Sequence, residues 1–186
     1  MNGFFGTQTS VPFLETSLKQ FHLALELILP EIAQHFEEQN VEVSMFATPW
    51  FHTLFSHDSQ LTFTQRVWDV FFNEGYTIIF QVSLAIVKEA KDIIMMYEFP
   101  DIVEYFKITP KQIINPEMIL QAAYKITKNK WILKVYTPEE MEAIHGNNSK
   151  KYIKQYKEEL RGGMYRTYSK KSRSDSKRVK SSSRSY

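Results

Sequence analysis

The sequence predicts an all-α protein, a multi-helix array followed by a basic tail, and three observations carry that expectation. Apolar residues recur at helical period through the first two thirds of the chain. The single stretch that could form a strand, Lys130 to Tyr136, has no second strand to pair with, and a lone strand leaves its backbone donors and acceptors unmatched, so it reads as helix or loop. After Gly162-Gly163 the side chains are Ser, Lys, Arg and Tyr, with Met164 and Val179 the only aliphatic ones, a composition that cannot offset the entropy of ordering.

Residues 1–10 are largely polar and contain glycine, and a flexible start is expected over 1–11. From Pro12, the series Leu14, Leu18, Phe21, Leu25, Ile28, Ile32 has steps of four and three, an apolar stripe along one helix face that Leu23, Leu27 and Leu29 widen. Pro30 has no N–H to donate and clashes with the preceding turn, so the helix kinks or restarts there, and a second helix from Glu31 to about Gln39 presents Ile32, His35 and Phe36. A break after Asn40 leads to Ser44–Ala47. Pro49 is expected near the start of a helix with Trp50, Phe51, Leu54 and Phe55 on one face, closed by the polar turn Ser56–Ser59.

The stretch from Arg66 to Gly75 is the aromatic centre of the sequence. Phe63, Val67, Val70 and Phe71 share one face, and Trp68 and Phe72 lie beside it, so this helix is expected to be apolar around most of its circumference and buried. Gly75 should end it in the left-handed conformation that glycine adopts freely. The run Tyr76–Val87 follows, helical to about Lys91 with Ile93–Met96 adding a turn. It is polar at Thr77, Gln81 and Ser83 and shorter than the roughly 20 residues of a membrane span, hence a core helix.

Thr109-Pro110 and Asn115-Pro116 each set a capping residue before a proline, the pattern of a helix start. After the second, Ile119, Ala122, Ala123 and Ile126 form a short amphipathic face. Thr137-Pro138-Glu139-Glu140 is a capping box, and past Gly146-Asn147-Asn148 the residues Tyr152, Ile153, Tyr156 and Leu160 resume a weak apolar face. The expected organisation is a flexible start over 1–11, a helical lobe over 12–145, a helical extension over 146–160 and a disordered basic Ser/Lys/Arg tail over 161–186.

There is no cysteine, which excludes disulfides, thiolate metal sites and a cysteine nucleophile. The start Met1–Gly6 lacks the pattern of a signal peptide, and a cytoplasmic protein is expected. The net charge of +2 conceals an asymmetry: nine Lys or Arg against Asp175 leave +8 in 161–186, and 14 basic against 20 acidic residues leave −6 in 1–160. Such a tail suits phosphorylation of its serines or contact with an anionic membrane better than nucleic acid, because only Tyr165, Tyr168 and Tyr186 could stack on bases.

No phosphate-cradling glycine loop and no nucleophile elbow occurs. The five histidines, His22, His35, His52, His57 and His145, show no metal-ligand spacing; His52, His57 and Asp58 form the one cluster, and a polar surface turn accounts for it. Neither a catalytic residue nor a cofactor or metal ligand is assigned. Asp69, on an aromatic helix with Arg66 one turn earlier, is expected in an ion pair that holds packing rather than in catalysis.

Three motifs in order resemble the C-terminal half of the TBC domain: Leu29-Pro30-Glu31-Ile32 with His35-Phe36; Pro49-Trp50-Phe51-His52-Thr53-Leu54-Phe55; and Arg66-Val67-Trp68-Asp69-Val70-Phe71-Phe72-Asn73-Glu74-Gly75. The resemblance runs from about Gly3 to about Tyr136 and implies an orthogonal array of helices. Pro30, Trp50, Phe55, Arg66, Trp68, Asp69, Glu74 and Gly75 are then family-signature residues with structural roles.

TBC domains activate Rab-family small GTPases by supplying an arginine from an I-x-x-D-x-x-R motif and a glutamine from a Y-x-Q motif, and the resemblance implies a GTP-bound Rab as partner, vesicle trafficking as context and endomembranes as location. Neither motif occurs in these 186 residues, and Gln81 and Arg66, placed in core helices, cannot take the roles. Little or no GTPase activation is therefore expected from this chain alone. It reads as the C-terminal lobe of an activator whose fingers are encoded upstream, or as a finger-less Rab-binding or scaffold module; a helical nucleic-acid-associated protein is the reading from another class. With the family's other lobe absent, the stripe Leu14, Leu18, Phe21, Leu25 and the aromatics near Trp50 are expected to be partly uncovered.

Overall fold

A computed structural model describes residues 12–126 with the exception of Asp58. The chain divides into two units, Met1–Met141 and Glu142–Tyr186, and every described residue belongs to the first. The expectations for 1–11, for Lys130–Tyr136, for the capping box at Thr137, for 146–160 and for the tail lie outside the described residues.

The described residues form eight α-helices and no strand: α1 Pro12–Ile28, α2 Pro30–Glu38, α3 Ser44–His52, α4 Leu61–Glu74, α5 Thr77–Glu89, α6 Lys91–Ile94, α7 Phe99–Gln112 and α8 Pro116–Ile126. The all-α expectation holds. The helix restarts at Pro30, which takes the first position of α2, where a missing N–H leaves no bond unmade. Asn115 Oδ1 accepts from the Met118 N–H at 3.3 Å and caps α8 as the Asn-Pro pair predicts.

The centre of the lobe is α5, which packs against α1, α3, α4, α6 and α8. Ile78 through Val87 are all buried, so the helix has neighbours on every side. Each fully buried Val, Ile, Leu or Phe there contributes about 1.5–3 kcal/mol. Ser83 fits this dry setting because its hydroxyl donates to the Ile79 carbonyl one turn back, at 2.8 Å.

A second core is aromatic. Trp50, 2% exposed, lies 5.3 Å from Phe46, 5.6 Å from Phe55, 6.0 Å from Phe106 and 6.5 Å from Phe21, measured between ring centroids. Phe46 stacks on Phe106 at 4.6 Å, and Phe36 meets both edge-on. Apart from Phe55, which follows α3, these rings come from α1, α2, α3 and α7 and lock the four helices together.

Several expectations are corrected. Pro49 lies inside α3 rather than at a helix start, since the turn begins at Ser44. Phe55 reaches the face of Trp50 through a left-handed corner, with φ of 50° at Leu54 and 65° at Phe55, and not as a continuation of the helix. Pro110 lies within α7, and Thr109 caps nothing: its hydroxyl bonds back to the Tyr105 carbonyl at 2.7 Å.

The expected uncovered face is found only at its first two positions, Leu14 and Leu18, and is corrected for Phe21, Leu25 and the aromatics near Trp50. Phe21 and Leu25 are fully buried, with Phe21 5.3 Å from Phe51, because α2, α3 and α5 pack onto α1; Leu14 and Leu18 are half-buried. The most exposed large apolar residues described are instead Leu61, Phe72, Met96 and Ile114.

Gly75 ends α4 with φ 79° and ψ −163°, positive in φ as expected but outside the left-handed helical region. The chain must enter α5 within two residues, and this extended mirror conformation is essentially confined to glycine. A Cβ built there meets no atom within 4 Å, so steric crowding is excluded as a cause of any effect. Gly75→Ala is expected to lose about 1–3 kcal/mol, read as a lowered urea midpoint; an unchanged midpoint contradicts the assignment.

Candidate functional site

The signature residues divide between an interior set and a surface set, both organised by α4. Only Phe63, Thr64 and Val67 of α4 are buried, Trp68 is half-buried and Phe72 is 77% exposed. The helix expected to be buried is a surface helix, because α5 and α8 cover it from the inner side and nothing among the described residues covers Phe72.

The interior set secures the corner that joins α3 to α4. The Phe55 N–H bonds to the Trp50 carbonyl at 3.1 Å, the six-residue closure that follows a left-handed residue at a helix end. Leu54 and Phe55 are strained there, since a Cβ crowds the carbonyl in that region. Side chains from outside the corner hold it: the Trp68 indole N–H donates to the Leu54 carbonyl at 2.9 Å, and the Thr64 hydroxyl donates to the Phe55 carbonyl at 3.1 Å. Trp50, Phe55 and Trp68 therefore act together, Phe55 stacking on Trp50 while Trp68 caps the residue before it.

The surface set is a polar face shared by α4 and α8. Arg66 Nη1 donates to Asp69 Oδ2 at 2.9 Å, the pair expected from their spacing, and Arg66 Nε donates to Glu117 Oε1 at 2.6 Å. Arg66 is thus an exposed residue that ties α4 to α8, not a core one, and Glu117 is a partner that the sequence reading missed. Glu117 first and Asp69 second push the guanidinium further above its ordinary range. Two turns along, the Tyr124 hydroxyl donates to Glu74 Oε1 at 2.6 Å; burial and then this carboxylate raise the phenol to about 12. Pro30 stands apart, exposed at the start of α2.

This arrangement positions helices and offers a polar, negatively balanced face. An arginine that stabilises charge on a transferred phosphoryl group must turn its guanidinium to that group, and both donating edges of Arg66 described above are held by carboxylates. No group of acidic or histidine side chains among the described residues could hold a metal; His52 and His57 are exposed, and Asp58 lies outside the described residues. A separate open groove of about 680 Å³ runs between α3 and α7, lined by Met45, Phe99, Val103, Glu104 and Lys107 among others.

A further tether joins α2 to the end of α6 and the turn that follows it. The buried His35 places Nε2 2.9 Å from the Ile94 carbonyl and 3.1 Å from the Tyr97 carbonyl, so that nitrogen carries a proton shared between two acceptors. Beside it, on the surface, Lys91 pairs with Glu31, whose carboxyl it holds below the usual range.

Comparison with known proteins decides what this scaffold is. A family model described as the Rab-GTPase-TBC domain matches residues 1–95, which include all three motifs. The chain belongs to the TBC family. Among individual proteins, the chain is 32% identical over 122 residues, 64% of its length, to the ecotropic viral integration site 5 protein of Mus musculus. It is 38% identical over 89 residues, 47% of the chain, to TBC1 domain family member 4 of Mus musculus. It is 28% identical over 124 residues, 64% of the chain, to the Rab GTPase-activating protein tbc-11 of Caenorhabditis elegans. The chain covers 15%, 7% and 13% of those three relatives. No described helix is long and apolar enough to cross a membrane.

Proposed function

We propose that this chain is a TBC-type Rab-recognition lobe, corresponding to the C-terminal half of the domain, that docks a GTP-bound Rab without accelerating its hydrolysis by itself. The observation that carries the reading is the pairing of a family match over residues 1–95 with a sequence in which neither finger motif occurs. The engagement of Arg66 by Glu117 and Asp69 supports it, since that arginine is committed to holding α4 on α8.

On this reading the eight signature residues build the docking scaffold. Trp50, Phe55 and Trp68 fix the α3–α4 corner; Arg66, Asp69, Glu74 and Gly75 set where α4 ends and how α8 lies on it; and Pro30 restarts the helix that carries His35. The chain acts as a regulator of a GTPase or a scaffold for it, in the cytoplasm at endomembranes, with the basic segment 161–186 contacting the anionic surface.

Equilibrium binding to a panel of purified Rab proteins, each loaded with GTP or GDP, tests the docking. Binding of at least one member, stronger for the GTP form, is expected; no binding across the panel overturns it.

A further inference from the structure

The lobe explains nothing of residues 161–186, and the pattern in that segment is not only basic. Three of its arginines stand three residues before a serine: Arg166 before Ser169, Arg173 before Ser176 and Arg178 before Ser181. Lys171 and Lys180 stand in the same relation to Ser174 and Ser183. A cation three residues before a hydroxyl is what a protein kinase with an acidic pocket beside its catalytic cleft recognises, because the guanidinium pairs with carboxylates while the hydroxyl lies in line with the nucleotide.

The modification and the charge fall in the same segment. A membrane contact through this segment depends on its +8, set by nine Lys or Arg and Asp175. Each phosphoserine adds about −1.5 to −2 at neutral pH, so three of them bring the segment to roughly +2 to +3.5. Phosphates placed among the cations also compete for them directly, by the bidentate hydrogen bonds that arginine makes to phosphate oxygens.

We propose that Ser169, Ser176 and Ser181 are acceptor sites for an arginine-directed protein kinase and that their phosphorylation releases the 161–186 segment from an anionic lipid surface. In the transfer, the serine Oγ forms a bond to the γ-phosphorus of a nucleoside triphosphate as the bond to the β–γ bridging oxygen breaks. The hydroxyl proton passes to the kinase's base and the nucleoside diphosphate leaves. The second half of the proposal rests on the membrane contact proposed above.

The test uses the full chain, an arginine-directed kinase with ATP, and vesicles of phosphatidylcholine with or without about a third phosphatidylserine. Phosphate mapped to Ser169, Ser176 and Ser181 is expected, with affinity for the anionic vesicles falling at least tenfold; the triple variant S169A/S176A/S181A should bind as the unmodified chain does and keep its affinity after kinase treatment. Absence of phosphate from these serines overturns the acceptor assignment. Phosphorylation that leaves vesicle binding unchanged overturns the switch. An unmodified chain that ignores anionic vesicles, or that binds RNA in their place, overturns the membrane reading and the switch with it, while the mapping still decides the acceptor sites.

Discussion

Trp50→Ala is expected to lower stability by about 3–5 kcal/mol, the range for deleting a large aromatic side chain from a packed core. Trp50 touches rings from α1, α3 and α7 and the Phe55 corner, so one deletion removes contacts from several elements at once. The corner suffers as well: Leu54 and Phe55 hold strained backbone angles, and the stacking of Phe55 on Trp50 is one of the contacts that hold them there. For a domain stable by about 5–15 kcal/mol, the loss is a large share of the total. Trp50→Phe, which refills most of the volume, should recover more than half of it. The measurement is the urea unfolding midpoint and slope of the full chain. A loss below about 1 kcal/mol for Trp50→Ala contradicts the assignment of Trp50 as the centre of the aromatic core.

The second large effect belongs to His35, the buried donor shared by the Ile94 and Tyr97 carbonyls. His35→Ala is expected to lose about 2–3 kcal/mol, because it leaves the Ile94 and Tyr97 carbonyls without their shared donor and opens a void beside Ile32 and Phe36. The neighbouring Lys91–Glu31 pair makes a contrast at nearly the same place. It bridges the same elements but is exposed on both sides, where solvent competes for each charge, so Lys91→Ala should leave the midpoint close to unchanged. Burial and not charge decides which tether matters, and equal losses for the two variants contradict that ranking.

Local chemistry was legible in the sequence where it acts over a few residues. Pro30 restarts a helix because a missing N–H is harmless there, Asn115 caps α8 because its side chain reaches the third residue on, and the apolar run Ile78–Val87, broken only at Gln81 and Ser83 and too short to span a membrane, reads as a core helix. The same rules misplaced Pro49 and Pro110. Both lie inside helices, since the turns before them begin at Ser44 and Phe99 and a proline removes only one bond from a helix that packing already holds. The α4 helix was read as buried because Trp68, Phe71 and Phe72 raise its apolar count. Exposure is set by which helices arrive beside it, and those are α5 and α8 on one side only.

The contacts that define the site could not be read from spacing. Arg66 finds Glu117 and Tyr124 finds Glu74 across about fifty positions, His35 reaches Ile94 across 59, and Trp68 caps Leu54 from the next helix. Each is the product of topology. Arg66 with Asp69 was legible because both lie on one helix, one turn apart, and the third member was not. The strained corner at Leu54 and Phe55 left no signal either, since glycine or asparagine is the usual mark of that conformation, as at Asn40 with φ 55°.

A chain that carries the docking scaffold of a TBC domain without the groups that accelerate hydrolysis, as proposed above, binds its GTPase and leaves the hydrolysis rate near its intrinsic value. Single-turnover GTP hydrolysis by a panel of GTP-loaded Rab proteins, with the chain in excess, tests it most directly. Rates within about tenfold of the intrinsic rate are expected for every member, a barrier change below about 1.4 kcal/mol; acceleration of any member well beyond that shows that these residues supply a catalytic group and overturns the proposed function.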